Sequence, residues 1–112
     1  MFMTMIAAAA AATQPSPADL LDLRCIAAFS MMSSLIDKQE DKDKMVVGAL
    51  YYVGKLDGRS PGLDLSAQLA ALFSQPDYLS KQLRADAERC GEEMKARGAE
   101  LQKIGKTMKT GS

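Results

Sequence analysis

The residues most open to chemical interpretation in this 112-residue chain are its two cysteines, Cys25 and Cys90. They lie too far apart for a CxxC redox motif, and two thiols are too few for a structural zinc site. If the protein is exported, we expect a disulfide between them, which would stabilise the fold by about 4 kcal/mol in the chain-entropy model. Two unpaired core cysteines in a cytosolic protein are the alternative.

Histidine is absent from the sequence. The chain therefore lacks the usual general base near neutral pH and the commonest transition-metal ligand. Ser30, Ser33 and Ser34 have no histidine to activate them as nucleophiles. A phosphate-binding loop is not indicated either, because the GK[ST] signature is missing. We expect no catalytic residues, no cofactor and no metal site, and hence a protein that is not an enzyme.

The Gly/Pro-containing segment 57–64 is the remaining candidate for a small polar ligand. Asp57 and Arg59 flank its start, and loops commonly carry binding residues. The simpler interpretation is a helix end followed by a tight turn, with a local ion pair between these two side chains.

The charge balance narrows the classes of partner. The chain has 14 basic and 14 acidic residues, so its formal net charge is zero. This argues against nucleic-acid binding, where a basic patch supplies most of the affinity, and against electrostatic docking on an anionic membrane. The length fits one domain.

Residues 1–12, MFMTMIAAAAAA, are similar to the later part of a secretory signal peptide. The stretch is a truncated match, because no Lys or Arg precedes Arg24. We expect cleavage near Ala10 to Ala12 and a periplasmic or secreted protein; a frayed alanine helix is the alternative. The run is too short to span a bilayer, so a membrane-embedded protein is not expected.

Residues 16–112 predict a single all-α domain, an orthogonal or up-down bundle of about four helices. Ser16 and Pro17 mark the first helix start, and a charged turn is expected at 37–44. A second helix is predicted from about 44 to 56, with Gly58 as its C-terminal cap, and Asp64 is expected to cap a short third helix. The first helix carries an apolar stripe of Leu21, Cys25, Ala28, Met32 and Leu35, and the second an inward row of Val46, Ala49, Leu50 and Val53.

The last and longest helix is predicted from about 76 to 108. An apolar seam at helical spacing runs along it through Leu83, Ala87, Cys90, Met94, Leu101, Ile104 and Met108. Arg97 interrupts the seam, and we expect it to pair with Glu93. Glycines recur at Gly91, Gly98 and Gly105. They favour close packing of a neighbouring backbone at Gly91 and loss of helical order beyond about residue 105.

Two predictions follow for this helix. Cys25 and Cys90 both fall on apolar faces, so they can meet if the first and last helices pack together. The outer part of the seam is a candidate surface for a protein or peptide partner, or for a homodimer; it consists of Met94, Leu101, Ile104 and Met108.

A signal-like start, Cys25 followed shortly by Phe29, and a second helical cysteine at Cys90 resemble the small periplasmic acid-stress chaperones of the HdeA type. The resemblance implies an all-helical fold with a Cys25–Cys90 disulfide, and apolar surface that captures unfolding proteins in acid. Our leading hypothesis is a non-enzymatic, exported, chaperone-like binding protein. The alternative is a structural or assembly protein that dimerises through the long helix and binds no client.

Overall fold

A computed structural model describes residues 14–111, so the signal-like stretch at 1–12 lies outside the described part of the chain. A short π-helical turn, Tyr78–Gln82, leads directly into the last helix. The all-α prediction with one long C-terminal helix is confirmed. Residues 14–111 form four α-helices: α1 (Pro17–Leu35), α2 (Gln39–Arg59), α3 (Leu65–Phe73) and α4 (Leu83–Thr110).

Helix α1 begins where the sequence predicted. The Ser16 hydroxyl accepts from the Asp19 backbone N–H at 3.1 Å, and the Asp19 carboxylate accepts from the Ser16 N–H at 3.0 Å. These reciprocal bonds form a capping box, with Pro17 in the first helical turn.

The predicted stripe on α1 is only partly correct. Leu21 and Leu35 are 48% and 70% exposed, whereas five consecutive residues, 25–29, are buried. A buried run of that length encircles the helix, because α2, α3 and α4 all contact α1. The prediction of a one-sided apolar stripe was therefore wrong at both ends of α1, where Leu21 and Leu35 are exposed.

Helix α2 starts earlier and ends later than predicted. Only residues 36–38 separate it from α1, and the charged segment that was expected to be a turn is mostly helical. Gln39 donates to Asp43 one turn on at 2.8 Å, and Glu40 and Asp41 lie in the first turn, where acidic side chains favour the helix dipole. Gly58 does not cap the helix, which continues through Arg59 to a C-cap at Ser60.

The buried face of α2 consists of Gly48, Ala49, Tyr52 and Leu56. Ala49 was predicted correctly, but Val46 and Leu50 are 48% and 60% exposed and were placed wrongly. Gly48 lets α2 approach α1 closely, since a Cβ there would lie 3.2 Å from the Phe29 ring.

The disulfide joins α1 to α4. Cys25 and Cys90 are bonded, with their Cα atoms 5.6 Å apart, and neither has exposed surface. The main core surrounds this bond and includes Leu23, Ile26, Phe29, Tyr52 and Leu56. The pairing predicted from the two apolar faces is therefore confirmed.

Helix α3 and the π-helical turn close the other side of α1. Asp64 caps α3 by accepting from the Ala67 N–H at 3.1 Å, as predicted. The last helix does not open at Ser74–Pro76; those residues form a turn, and α4 begins at Leu83. Between them, buried Tyr78 packs with Leu72 and donates to the Arg24 carbonyl at 3.3 Å.

Helix α4 extends well beyond the bundle. Its 28 residues span about 42 Å, and the molecule is elongated, with a longest dimension of 65 Å. The helix continues to Thr110, past the point where loss of order was predicted. The close packing expected at Gly91 is wrong, because a Cβ added there would meet no atom of the described chain within 4 Å.

We call residues 95–111 the C-terminal arm, since every residue in that range is exposed. No helix between residues 14 and 111 is long and apolar enough to cross a membrane.

Candidate functional site

An open apolar groove of about 530 Å³ lies between α1, α2 and the beginning of α4. Its apolar surface comes from Phe29, Met32, Met45, Leu79, Leu83, Ala87 and Gly91. Arg84 and Glu88, both strongly exposed and 3.8 Å apart, stand at its edge. The volume is within the range of ordinary ligand pockets, and the lining has almost no fixed polar group to orient a small polar molecule.

The chemistry of the lining suits variable apolar side chains. The Phe29 ring is 7% exposed and belongs to the core. Met32 and Met45 stand on facing helices, and flexible thioether side chains adapt to guests of different shape. Gly91 adds no side chain, which keeps one wall open.

The sequence did not predict this groove as a unit. Met32, Leu83 and Ala87 were assigned to apolar helix faces, but nothing in their spacing showed that these faces leave a gap between them. Two methionines on the edges of apolar stripes were the available signal, because methionine is typical of adaptable surfaces.

The four residues of the predicted partner-binding seam do not share one environment. Met94 packs against the main core. The other three residues lie on the C-terminal arm: Leu101 is 68% exposed, Ile104 47% and Met108 71%. Their role in binding stays a prediction.

Arg59 lies between two buried carboxylates of α1. Its guanidinium donates to Asp19 at 2.7 Å and to Asp22 at 2.5 Å, so the local pair with Asp57 was the wrong expectation. The Ser16 backbone N–H, then Arg59, hold the pKa of Asp19 well below its usual range. Asp22 and then Asp19 raise the pKa of Arg59 in return.

Lys55 continues this cluster from α1 to α4. Its ammonium lies 3.3 Å from Asp22 and 3.0 Å from Glu93. Burial opposes the charge on Glu93, but hydrogen bonds from Lys55 and Tyr52 outweigh it, so the pKa of Glu93 is lowered. Burial likewise opposes the charge on Lys55, yet its hydrogen bonds to Glu93 and Asp22 raise its pKa.

The predicted Glu93–Arg97 pair is therefore replaced by other contacts. Glu93 turns towards α2, where Lys55 and the Tyr52 hydroxyl both donate to it. Arg97 instead pairs with Glu100 at 3.1 Å on the surface of the arm.

We call the cluster of Asp19, Asp22, Lys55, Arg59 and Glu93 the charged clamp. A second buried carboxylate site lies at Asp86, which accepts from Arg24 at 2.9 Å. Across residues 14–111 every buried side-chain nitrogen and oxygen has a partner. In the same range no group of three or more acidic, histidine or cysteine side chains is arranged to hold a metal. The clamp thus acts on the fold, tying α1 and α2 to the turn of α4 that carries Cys90.

No protein-family model, curated protein or solved structure matches this chain.

Proposed function

We propose that the protein is a non-enzymatic, exported binding protein of chaperone-like type, which holds apolar segments of other proteins in the groove between α1, α2 and α4. The observation that carries this proposal is the groove itself: it is open, apolar, and lined on two facing helices by Met32 and Met45. Flexible methionine-rich surfaces accept many partners rather than one. Arg84 and Glu88 at the edge place both signs of charge beside a bound segment.

Export is supported by the disulfide, because such bonds persist in oxidising compartments and are rare in the cytosol. The signal-like stretch at 1–12 points the same way. The test is the intact mass of the protein from its native host, measured with and without reduction and alkylation. Loss of about the first dozen residues and thiols that appear only after reduction would support export. An intact Met1 with two free thiols would overturn it.

Acid is the proposed trigger for client binding. The chain has 14 carboxylate side chains and no histidine, so its charge rises from zero to about +14 below about pH 3. That repulsion loosens a bundle of helices, while the Cys25–Cys90 bond keeps it compact. Protonation of Glu93 also removes its ion pair with Lys55, which joins α4 to α2.

The experiment is suppression of aggregation of an acid-unfolding model protein, with binding of a hydrophobic dye, at neutral pH and at about pH 3. The oxidised full chain should bind dye and suppress aggregation in acid. Leu79→Lys introduces a charge on the groove wall and should weaken suppression several-fold. Leu50→Lys is the matched control, because Leu50 is exposed on α2 and does not line the groove.

Equal effects of the two variants would exclude the groove as the binding site. A protein that suppresses nothing at either pH would contradict client binding altogether. The structural or assembly role would then be the better interpretation.

A further inference from the structure

A second cavity, of about 340 Å³, lies between α1, α3 and the π-helical turn. It is lined by Leu20, Arg24, Leu72, Gln75, Tyr78 and Gln82, and none of these residues lines the groove. A smaller cavity of about 100 Å³ adjoins it, because Leu20, Leu72 and Gln75 line both. The rest of the smaller lining is Leu23, Gln68 and Ala71. We call the two cavities together the α1–α3 cleft; its polar part surrounds Arg24, and its apolar part is made by leucines.

Arg24 is the one charged residue of the described chain that lines the cleft. Its Nε donates to Asp86 at 2.9 Å and its Nη2 donates to Gln82 at 2.9 Å, so one edge of the guanidinium is used and its orientation is fixed. A guanidinium has five N–H groups, and the other three have no hydrogen-bond partner among residues 14–111. The side chain is 32% exposed, which puts the free edge, formed by Nη1 and Nη2, within reach of a ligand in the cleft. Such an edge is the fork that binds a carboxylate through two parallel hydrogen bonds.

The charges around the cleft favour an anion. Buried Asp86 lies between two arginines, Arg24 at 2.9 Å and Arg89 at 3.5 Å, so these two guanidiniums and one carboxylate have a net charge of +1. Helix α3 contains no charged residue, and both acidic residues of α1 belong to the charged clamp. In the turn before α4, Asp77 is exposed and lies 3.8 Å from Lys81. A carboxylate in the cleft would therefore meet a positive group that the neighbouring elements do not cancel.

We propose that the α1–α3 cleft binds a carboxylate that carries a short apolar chain. Arg24 binds the carboxylate with its free edge, and Leu20 and Leu72 cover the apolar chain. Gln82 accepts from Arg24 through its side-chain oxygen, so its amide nitrogen is left to donate to the same carboxylate. Branched-chain carboxylic acids have this chemistry, and so does the C-terminus of a peptide that ends in leucine. The site goes beyond the proposed function and does not depend on the groove.

The test is an NMR titration of the oxidised full chain at neutral pH, followed through the side-chain amide signals of Gln75 and Gln82 and the methyl signals of Leu20. The probe is isocaproate, a carboxylate on a branched apolar chain, and its neutral amide is the matched control. We expect saturable shifts with a dissociation constant of about 1 mM or lower for isocaproate, and binding of the amide that is weaker by at least about tenfold. Equal binding of acid and amide would overturn the proposal. Acetate that binds as tightly as isocaproate would mean an adventitious ion only, and would also overturn it.

Leu20→Glu tests the position of the site, because it places a carboxylate one helical turn before Arg24, where side chains at i and i+4 meet. The new carboxylate should occupy the free edge and weaken isocaproate binding by at least about tenfold. Leu21→Glu is the control, since Leu21 is 48% exposed against 45% for Leu20 and lines neither cavity. Arg24→Lys keeps the charge but loses the fork, so it should also weaken binding. Circular dichroism and urea midpoints establish that the variants fold, and equal effects of the two glutamate variants would overturn the site.

A peptide pair identifies the source of the carboxylate. An acetylated tripeptide that ends in leucine is titrated with its C-terminus free and with its C-terminus amidated. Tighter binding of the free peptide than of isocaproate would assign the cleft to the chain ends of other proteins, and the reverse order would assign it to small carboxylic acids. Either order supports a carboxylate site, whereas no binding of either probe would overturn it.

Discussion

The Tyr52 hydroxyl lies 2.9 Å from Glu93 Oε1 and 3.1 Å from the Cys90 carbonyl oxygen. Helix α2 is therefore hydrogen-bonded to α4 at the turn that carries the disulfide to α1. Tyr52 has no exposed surface, and its ring stacks beside Phe29 with centroids 5.9 Å apart. Burial, followed by the contact with Glu93, raises the pKa of Tyr52, so its hydroxyl stays a donor.

Tyr52→Phe removes this hydroxyl without changing the packing of the ring. We expect the free energy of unfolding at neutral pH to fall by about 1–2 kcal/mol, because the half-buried Glu93 carboxylate and the Cys90 carbonyl lose the one hydroxyl proton that they share. Urea denaturation measures the loss. Tyr51→Phe is the control, since its hydroxyl lies 3.4 Å from Glu93 on a half-buried side chain. Equal losses in the two variants would contradict the role given to Tyr52.

Arg59→Leu should be among the most destabilising single changes on the surface of the protein. It leaves buried Asp19 without its cationic partner and Asp22 with Lys55 alone, and an unpaired buried charge is strongly unfavourable. Arg59→Lys should recover only part of the loss, because an ammonium cannot form the same two-pronged contact.

Arg84→Leu is the comparison for Arg59→Leu, since the Arg84 side chain is 94% exposed and pairs only loosely with Glu88. We expect almost no change in its urea midpoint. A similar midpoint for the two leucine variants would show that the charged clamp adds little to stability.

Removal of the disulfide by the double change Cys25→Ala and Cys90→Ala should lower the free energy of unfolding by about 4 kcal/mol. The bond closes a loop with a sequence separation of 65, which restricts the unfolded chain. Urea denaturation of the variant and of the oxidised protein measures the difference. A loss below about 1 kcal/mol would mean that the core alone sets the position of α4.

Stability should fall as the pH is lowered through the carboxyl range. The pKa values of Asp19 and Glu93 are lowered in the folded protein, so each contributes stability that is complete above its ordinary pKa. That contribution is lost as the pH falls towards the lowered folded value. We expect urea midpoints to decrease from about pH 5 downwards.

Glu93→Gln separates the contribution of Glu93 from general acid repulsion. The variant should be less stable at neutral pH and should lose less stability on acidification than the original chain. Parallel curves for the two proteins would show that Glu93 does not contribute to the acid response.

Local signals in the sequence predicted the starts of α1 and α3, and the disulfide, correctly. Ser16 with Asp19, and Asp64 with Ala67, act through hydrogen bonds within three residues, so their geometry follows from the sequence alone. Cys25 and Cys90 were placed on apolar faces by spacing, and the structure pairs them.

Features that depend on the placement of separate helices could not be predicted. Arg59 pairs with Asp19 and Asp22, which lie about 40 positions away, rather than with nearby Asp57. The groove likewise depends on how α1, α2 and α4 are placed around Phe29, which lies in its lining. The outward turn of Leu50 has the same origin, since the buried face of α2 follows its contact with α1.

Methyl NMR with labelled methionine tests the central claim most directly, because methionines lie both in the groove and on the arm. The oxidised full chain would be mixed at about pH 3 with a reduced and alkylated, permanently unfolded model protein. Binding in the groove should shift the Met32 and Met45 methyl signals and leave Met108 on the arm unmoved. A shift confined to Met108, or no shift of any methionine signal, would contradict the groove as the site that holds client proteins.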